Sequence, residues 1–403
     1  MTQVGGEAMY SLTLGLVVWG VIGLSLVMML FWSYEQFVGW IRYDEPEIEY
    51  GPESVQARVL TIGDDPLVVQ KTVNALVETV SDIHVITEQE IDIQGANVHV
   101  VPSSFDCAAT KKGRALEWGR QNIPCERTHI LYLDEDTQAI NFTGIPDADV
   151  VQFGERPYAT ESWLAYLIEI FRMGFQTEIR AFSRFEVPLY AWGGGIAIRR
   201  ELEDTITWNF ESITEDTSFV WRAAKQEGID FAYVNTKFRN QAPPSLSALI
   251  QQRRRWYAGS IAEQHILPRK FYILAFFRNF SWSLSIAFPF LWLLNWIPSK
   301  VATLPFQSTY IVIAGFVSLF LLCWSVAGCV YMRESIPIAI LVCCLSPLLS
   351  LLNALGAMYG AISQPETFTV TEKAVSDDQS NTPQEAAKQS VGNSFSEMTD
   401  EAD

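Results

Sequence analysis

The sequence predicts an α/β domain with a largely parallel sheet, set between membrane-spanning helices. Three observations carry that prediction. Between residues 45 and 270, short apolar runs alternate with segments of helical period. Residues 11–32 (SLTLGLVVWGVIGLSLVMMLFW) form an uncharged apolar run, long enough to cross a bilayer. Three more apolar stretches follow, at 273–298, 306–331 and 335–362, and Arg278 is their only charged residue.

Composition agrees. Hydrophobic residues make up 49% of the 403-residue chain and charged residues 18%, a balance that leans toward a membrane protein. The first run lacks a basic start and a small-residue cleavage site, so it reads as an anchor rather than a signal peptide. The expected organisation is an anchor and interfacial segment over 1–44 and a catalytic domain over 45–270. Transmembrane or interfacial helices follow over 271–362, then an acidic Ser/Thr/Gln-rich tail over 363–403 that cannot bury a core. Net charge is −18, with 28 Lys and Arg against 46 Asp and Glu. An acidic domain with few lysines fits a salt-adapted proteome, such as that of a halophilic archaeon. It excludes nucleic acid as a partner, because no basic face is present to release counterions. The six cysteines include no C-x-x-C pair and the four histidines have no ligand spacing, which argues against zinc.

Element by element, 58–63 (RVLTIG) reads as a buried strand and 68–80 as a helix. Residues 83–88 and 96–102 read as a second and third strand, 107–121 as a helix, and 129–136 (HILYLDED) as a strand ending in acid. Residues 161–185 look helical and amphipathic. Residues 188–200 offer a glycine turn and a short strand, 215–227 a helix, 233–238 a strand. A final helix carries QQRRRWYAGS, 251–260. Ligands of such sheets bind beyond the carboxyl ends of strands, where Asp64, Glu88 and Asp134 fall.

Four motifs carry chemistry. Asp134-Glu135-Asp136 leaves a strand, and two carboxylates so spaced can face a hard divalent cation, Mg²⁺ or Mn²⁺; a solvated acidic turn has the same pattern. The motif also fits the nucleophile loop of haloacid-dehalogenase-type phosphatases. That chemistry needs a later lysine and an acidic pair after a later strand, whereas Asp64-Asp65 lies upstream and Glu215-Asp216 follows no clear strand. Thr214-Glu215-Asp216 opens a helix, where Thr214 can cap and the dipole favours carboxylates. Asp216 there is expected to stay ionised and to serve as a general base. Gly193-Gly194-Gly195 permits close backbone approach to a ligand, or is a simple loop. In Gln252-x-x-Arg255-Trp256, helical spacing gathers Gln252, Arg255 and Trp256. A guanidinium grips phosphate oxygens and an indole offers a flat face to a sugar. Cationic flanking of the next apolar span accounts for Arg253 and Arg254, but not for Gln252 or Trp256.

Taken in order, these motifs resemble the processive-type family 2 inverting glycosyltransferases, the group holding cellulose, chitin and hyaluronan synthases. They look closest to egghead-type β-1,4-mannosyltransferases. The similarity rests on ARVLTIGDDP (57–66), VITE (85–88), KKGRALEW (111–118), LDEDT (133–137), F-x-V-P-L-Y-A-W-G-G (185–194), TEDTSFVWRAAKQEG (214–228) and SLSALIQQRRRWYAG (245–259). FTVTEK (368–373) resembles a segment that follows the last span in many relatives. The resemblance implies a GT-A, Rossmann-like nucleotide-sugar domain. Thr61 and Glu88 would border the nucleotide base, and Lys112 or Arg114 the base or diphosphate. Asp134 would serve the nucleotide and Asp136 the metal. Gly193 and Gly194 would border the substrate beside Glu215, and Asp216 would be the catalytic base. Gln252, Arg255 and Trp256 would hold diphosphate and acceptor.

The implied reaction takes a mannose- or glucose-type sugar from a GDP- or UDP-sugar to a membrane lipid or lipid-linked glycan, with an Mg²⁺ or Mn²⁺ cofactor and a β-linkage. The alternatives are a processive synthase with an export channel, assembled if need be as a homo-oligomer, and a non-catalytic nucleotide-sugar-binding module. Arg42 follows the first span, and no Lys or Arg precedes it. The positive-inside rule then puts the catalytic domain in the cytoplasm of a multi-pass plasma-membrane protein. One span before the domain and three after it would put the tail outside, whereas FTVTEK would put it inside. The interrupted stretch 273–298, with Arg278, Pro289 and Pro298, is therefore expected to be interfacial or re-entrant.

Overall fold

A computed structural model describes residues 2–290 and 307–363 of the chain. FTVTEK and the acidic tail lie outside the described residues.

The centre is a seven-stranded sheet in the order β3-β2-β1-β4-β6-β5-β7. Its strands are β1 Val55–Thr61, β2 Ile83–Thr87, β3 Asn97–Val100, β4 His129–Asp134, β5 Val150–Tyr158, β6 Ile196–Arg199 and β7 Phe231–Gln241. Strand β6 runs antiparallel to β4 and β5, and the remaining pairs are parallel. This is a mixed α/β sheet, largely parallel. Alternation along β1 and β4 sorts the core: Val55, Ala57, Val59, Leu131 and Leu133 face one layer, and Leu60, Ile130 and Tyr132 the other. Helices α2 (Pro66–Asn74), α3 (Lys111–Asn122), α5 (Arg200–Ile206) and α6 (Glu215–Gln226) complete the sandwich around it.

Two departures from expectation concern length and content. The helix expected over 68–80 ends at Asn74 and continues as turns. Strand β5 was not expected at all, and it occupies two neighbours in the sheet. Arg58 in β1 is 1% exposed. It donates to Gln56 Oε1 (2.8 Å), Tyr132 Oη (3.1 Å) and the Ile123 carbonyl (3.0 Å), and lies 3.7 Å from Glu203 of α5. A buried cation persists only when matched in this way.

Helix α1 spans Thr2–Ile41, α4 Trp163–Gln176, α7 Leu246–Glu263, α8 Arg269–Leu284, α9 Gln307–Met332 and α10 Ile336–Ile362. Segments Gly15–Ile41, Ser308–Met332 and Ile336–Ile362 are long and apolar enough to cross a membrane. The stretch 273–298 is not one such helix over its described part. Helix α8 stops at Leu284 and gives way to a 3-10 turn, Ser285–Phe290. Within α8, Arg278 donates to Glu35 of α1 (2.6 Å) and to Glu178 (2.8 Å). One apolar core joins the membrane-type helices to the sheet domain: Ile22 and Met29 of α1, Ile168 and Phe171 of α4, Val317 of α9 and Leu349 of α10 all belong to it.

Candidate active site

The site gathers at the carboxyl ends of β1 and β4. The parallel register sets Leu60 opposite Asp134, so the strand after which Thr61 ends lies beside the strand that delivers the carboxylates. Thr61 Oγ1 donates to Glu135 Oε2 (2.6 Å), and Thr72 Oγ1 of α2 donates to the Glu135 carbonyl (2.6 Å). These bonds hold the Asp-Glu-Asp turn against the sheet. From the other side, the Gln241 N–H of β7 donates to Asp136 Oδ2 at 3.0 Å.

Lys112 reaches this turn from the start of α3. Lys111 opens that helix at φ 50°, a left-handed conformation that a non-glycine residue adopts at a cost. Lys112 Nζ lies 2.9 Å from Asp134 Oδ1, 3.4 Å from Asp216 Oδ1 and 3.8 Å from Glu215 Oε1. Burial lowers the pKa of this lysine, but Asp134, Asp216 and Glu215 outweigh it and hold the ammonium above its usual range.

Helix α6 brings Glu215 and Asp216. Thr214 stands at the N-cap position, yet its side chain makes no capping bond, which corrects the expected cap. Thr217 fastens the helix to the glycine turn instead: its Oγ1 donates to the Ala191 carbonyl (3.2 Å) and accepts from the Ala191 N–H (3.1 Å). Gly193 is required by proximity, since a Cβ there would meet the Asp216 carboxylate at 2.1 Å. Asp216 does not have the low pKa expected at a helix start. Burial raises it to about 7; Lys112 opposes the rise, while Glu215 and Asp134 add to it. Desolvation outweighs the helix dipole here.

Helix α7 supplies the last group. It is capped by Ser245, whose hydroxyl accepts from the Ala248 N–H at 3.1 Å. At Gly259 it packs so closely on Thr214 that a Cβ would lie 2.4 Å from Thr214 Cγ2. Arg255 is thereby held in the field of Glu215, Asp134 and Asp216; its own burial lowers its pKa and the three carboxylates raise it. The Arg253 guanidinium sits 4.3 Å from the Trp256 ring centroid, and that of Arg172 sits 5.3 Å away.

One cavity of about 680 Å³ collects these residues. Thr61, Glu88, Lys112, Asp134, Asp136 and Gly193 line it, as do Glu215, Asp216, Gln252, Arg255 and Trp256. Two expected residues stand back. Arg114 is held by Glu88, with Nη1 3.0 Å from both carboxylate oxygens, and by the Phe105 carbonyl. Of the two cations considered for the diphosphate, it is Lys112 that reaches the cavity wall. Gly194 packs on the Trp192 ring.

Sequence reasoning missed Glu155, Glu169, Arg172, Glu178 and Arg278. All but Glu169 line the cavity, and Glu169 is buried behind it. The available signal was charge out of place: Glu169 and Arg172 sit three apart in an apolar helix, and Arg278 is alone in an apolar stretch. Arg253 also differs from expectation. It is no solvated flank but is fully buried, whereas Arg254 lies at the surface against Ser363 and Tyr359.

Among the described residues no group of three or more His, Cys, Asp or Glu side chains is arranged to hold a metal ion. The Asp134–Asp136 pair fits a hard divalent ion of the kind that takes one or two carboxylates and completes its shell with substrate phosphates and water. Asp136, 2% exposed and anchored through one oxygen, is the fixed member of that pair.

A mixed sheet with carboxylates, a lysine and an arginine around one cavity suits a glycosyltransferase. The chain belongs to the glycosyl transferase family group 2, whose profile matches residues 129–355. It is 27% identical over 258 residues to the β-1,4-mannosyltransferase egh of Drosophila melanogaster, covering 56% of each chain. It is 27% identical over 242 residues to the β-1,4-mannosyltransferase bre-3 of Caenorhabditis briggsae, covering 52% of each. The chain thus spans about half the length of the curated relatives it matches. Among solved structures it is similar to the mannosyltransferase PcManGT of Pyrobaculum calidifontis, bound to GDP-Man and Mn²⁺. There the TM-score is 0.47 and the identity 12%, over 85% of this chain and 98% of that one.

Proposed function

We propose that the protein is a membrane-embedded inverting hexosyltransferase. It moves a mannose- or glucose-type sugar from a GDP- or UDP-sugar to a lipid or lipid-linked glycan, and the product is a β-glycoside. One observation carries this reading. Lys112, Asp136, Asp216 and Arg255, from four separate stretches of chain, line a single cavity that continues to Trp32, Trp282 and Phe320 of the apolar helices. The polar end suits a nucleoside diphosphate sugar and the apolar end an acceptor that arrives from the membrane.

In this reading Asp216 takes the proton of the acceptor hydroxyl as that oxygen attacks the anomeric carbon opposite the departing diphosphate. One displacement forms the glycosidic bond, breaks the sugar–phosphate bond and inverts configuration. Arg255 and Lys112 face the negative charge that grows on the leaving oxygens. An Mg²⁺ or Mn²⁺ ion held at Asp136, with Asp134 beside it, adds to that neutralisation when bound. Thr61 and Glu88 border the base, and Gln252 and Trp256 face the acceptor. The sheet domain stands on the cytoplasmic side, next to Arg42 and Arg269, and three spans return residue 363 to that same side.

The test is transfer of label from GDP-mannose and UDP-glucose to a lipid extract with Mn²⁺ present, with Asp216→Asn as the control. Lipid-soluble label from the wild type and none from the variant supports the reading. Equal label from both contradicts it.

A further inference from the structure

The QxxRW pattern leaves Arg253 without a role, yet no side chain in the motif is more constrained. It is wholly buried and each of its nitrogens donates. Nε donates to Asn353 Oδ1 of α10 at 3.2 Å, Nη1 to Gln252 Oε1 and Nη2 to Glu169 Oε1. Its guanidinium also lies against the Trp256 ring, 4.3 Å from the centroid. Arg253 therefore touches the two motif residues assigned to the acceptor, and it does so from a fixed base.

That base continues through Arg172, Glu155 and Asn240, which also line the cavity. The other oxygen of Glu169 accepts from Arg172 Nε at 2.6 Å. Arg172 in turn grips Glu155 of β5 through two bonds, of 2.9 and 2.6 Å, and Asn240 of β7 donates to Glu155 at 3.0 Å. Two arginines and two glutamates, all 12% exposed or less, thus link β5, α4 and α7. A buried charge network of this kind contributes little net stability against an apolar replacement, but it fixes geometry. The link to α10 is equally close: at Gly356 a Cβ would lie 2.5 Å from both Arg253 Cβ and the Ile250 carbonyl.

We propose that Arg253, anchored by Glu169, is a positioning residue that orients Gln252 and Trp256 toward the acceptor and ties that orientation to the seating of helix α10. The inference rests on the acceptor-facing reading of Gln252 and Trp256 given above. It does not involve the diphosphate, which faces Lys112, Asp136 and Arg255.

Arg253→Lys is the first test, because lysine keeps the charge but cannot reach three separated partners. Two rates are compared: transfer to lipid acceptor, and slow transfer of the same sugar to water, which needs the donor alone. Arg253→Lys is expected to lower kcat/KM for the lipid at least 10-fold while hydrolysis and nucleoside diphosphate affinity stay within about 2-fold. In a Gln252→Ala background the same substitution is expected to cost less than half as much on a logarithmic scale. Asn353→Ala, which removes only the α10 contact, is expected to shift acceptor KM in the same direction by about 3-fold; it decides the matter if Arg253→Lys does not fold. Wild-type transfer in folded Arg253→Lys, or equal loss of transfer and hydrolysis, overturns the inference. A wild type that releases sugar to neither lipid nor water overturns the hexosyltransferase reading and this inference together.

Discussion

Asp216, the proposed base, carries its charge at the expense of stability. Burial lifts its pKa to about 7 from an ordinary 3.8. The folded state therefore resists losing a proton that the unfolded chain releases near pH 4, so stability falls as pH rises between about 4 and 7 and is level above. Asp216→Asn removes this penalty. Its Tm is expected to exceed that of the wild type by a margin that grows from pH 5 to pH 7 and then holds, as thermal unfolding at each pH will show. Transfer by the variant is expected to drop by about 10²–10⁴-fold, the usual worth of a general base, with nucleotide affinity within a few-fold. Gly193 is the matching constraint on its neighbour. Gly193→Ala puts a methyl 2.1 Å from that carboxylate and is expected to lower kcat about 10²-fold, the order expected for a displaced catalytic group, with the far-ultraviolet circular dichroism unchanged.

At the scale of elements, six of the seven strands were legible in the sequence and β5 was not. β1, β2 and β4 read clearly because their apolar runs end in acid at the sheet's carboxyl edge, α6 because it opens on a motif and α7 because it carries one. β5 was hidden by Gly154 and Pro157, which break the alternation of a strand that the structure completes by pairing it with β6 and β7. The run Arg253-Arg254-Arg255 gave three identical letters for three different fates: an interior anchor, a surface contact and a cavity wall. Helical phase against α4, α6 and α10 decides among them, and phase against distant elements is absent from local sequence. Arg114 stands behind Glu88 for the same reason, since that pairing is a tertiary contact. Buried pairs of this sort are fragile on one side. Glu203 of α5 accepts from Trp208 Nε1 at 2.7 Å and from the Tyr132 hydroxyl, and lies against Arg58. Glu203→Ala leaves these donors without their acceptor and is expected to destabilise the domain by about 3–5 kcal/mol, measured by denaturant unfolding in detergent. Wild-type stability would show that Arg58 is satisfied by Gln56 and the Ile123 carbonyl alone.

Over the whole molecule, the apolar helices do more than tether an enzyme. α1, α4, α9 and α10 share one core, and the cavity is walled by the sheet at one end and by these helices at the other. Over its described part, 273–290, the interrupted stretch is short α8 and its 3-10 extension. A cysteine introduced at Ser363 and one introduced at Glu47 are expected to react from the same side of sealed vesicles with a membrane-impermeant reagent. Labelling from opposite sides would restore a fourth span within 273–306. A cation site at Asp136 and the guanidinium of Arg255 are proposed to act on the same pyrophosphate. Nucleoside diphosphate affinity, titrated for the wild type, Asp136→Ala, Arg255→Ala and the double variant with and without Mn²⁺, tests that most directly. The expected result is that each single change weakens binding, that the Asp136 effect vanishes without Mn²⁺, and that the double variant loses less than the sum of the two. Strictly additive losses, or an Arg255→Ala variant that binds the diphosphate as tightly as the wild type, would contradict it.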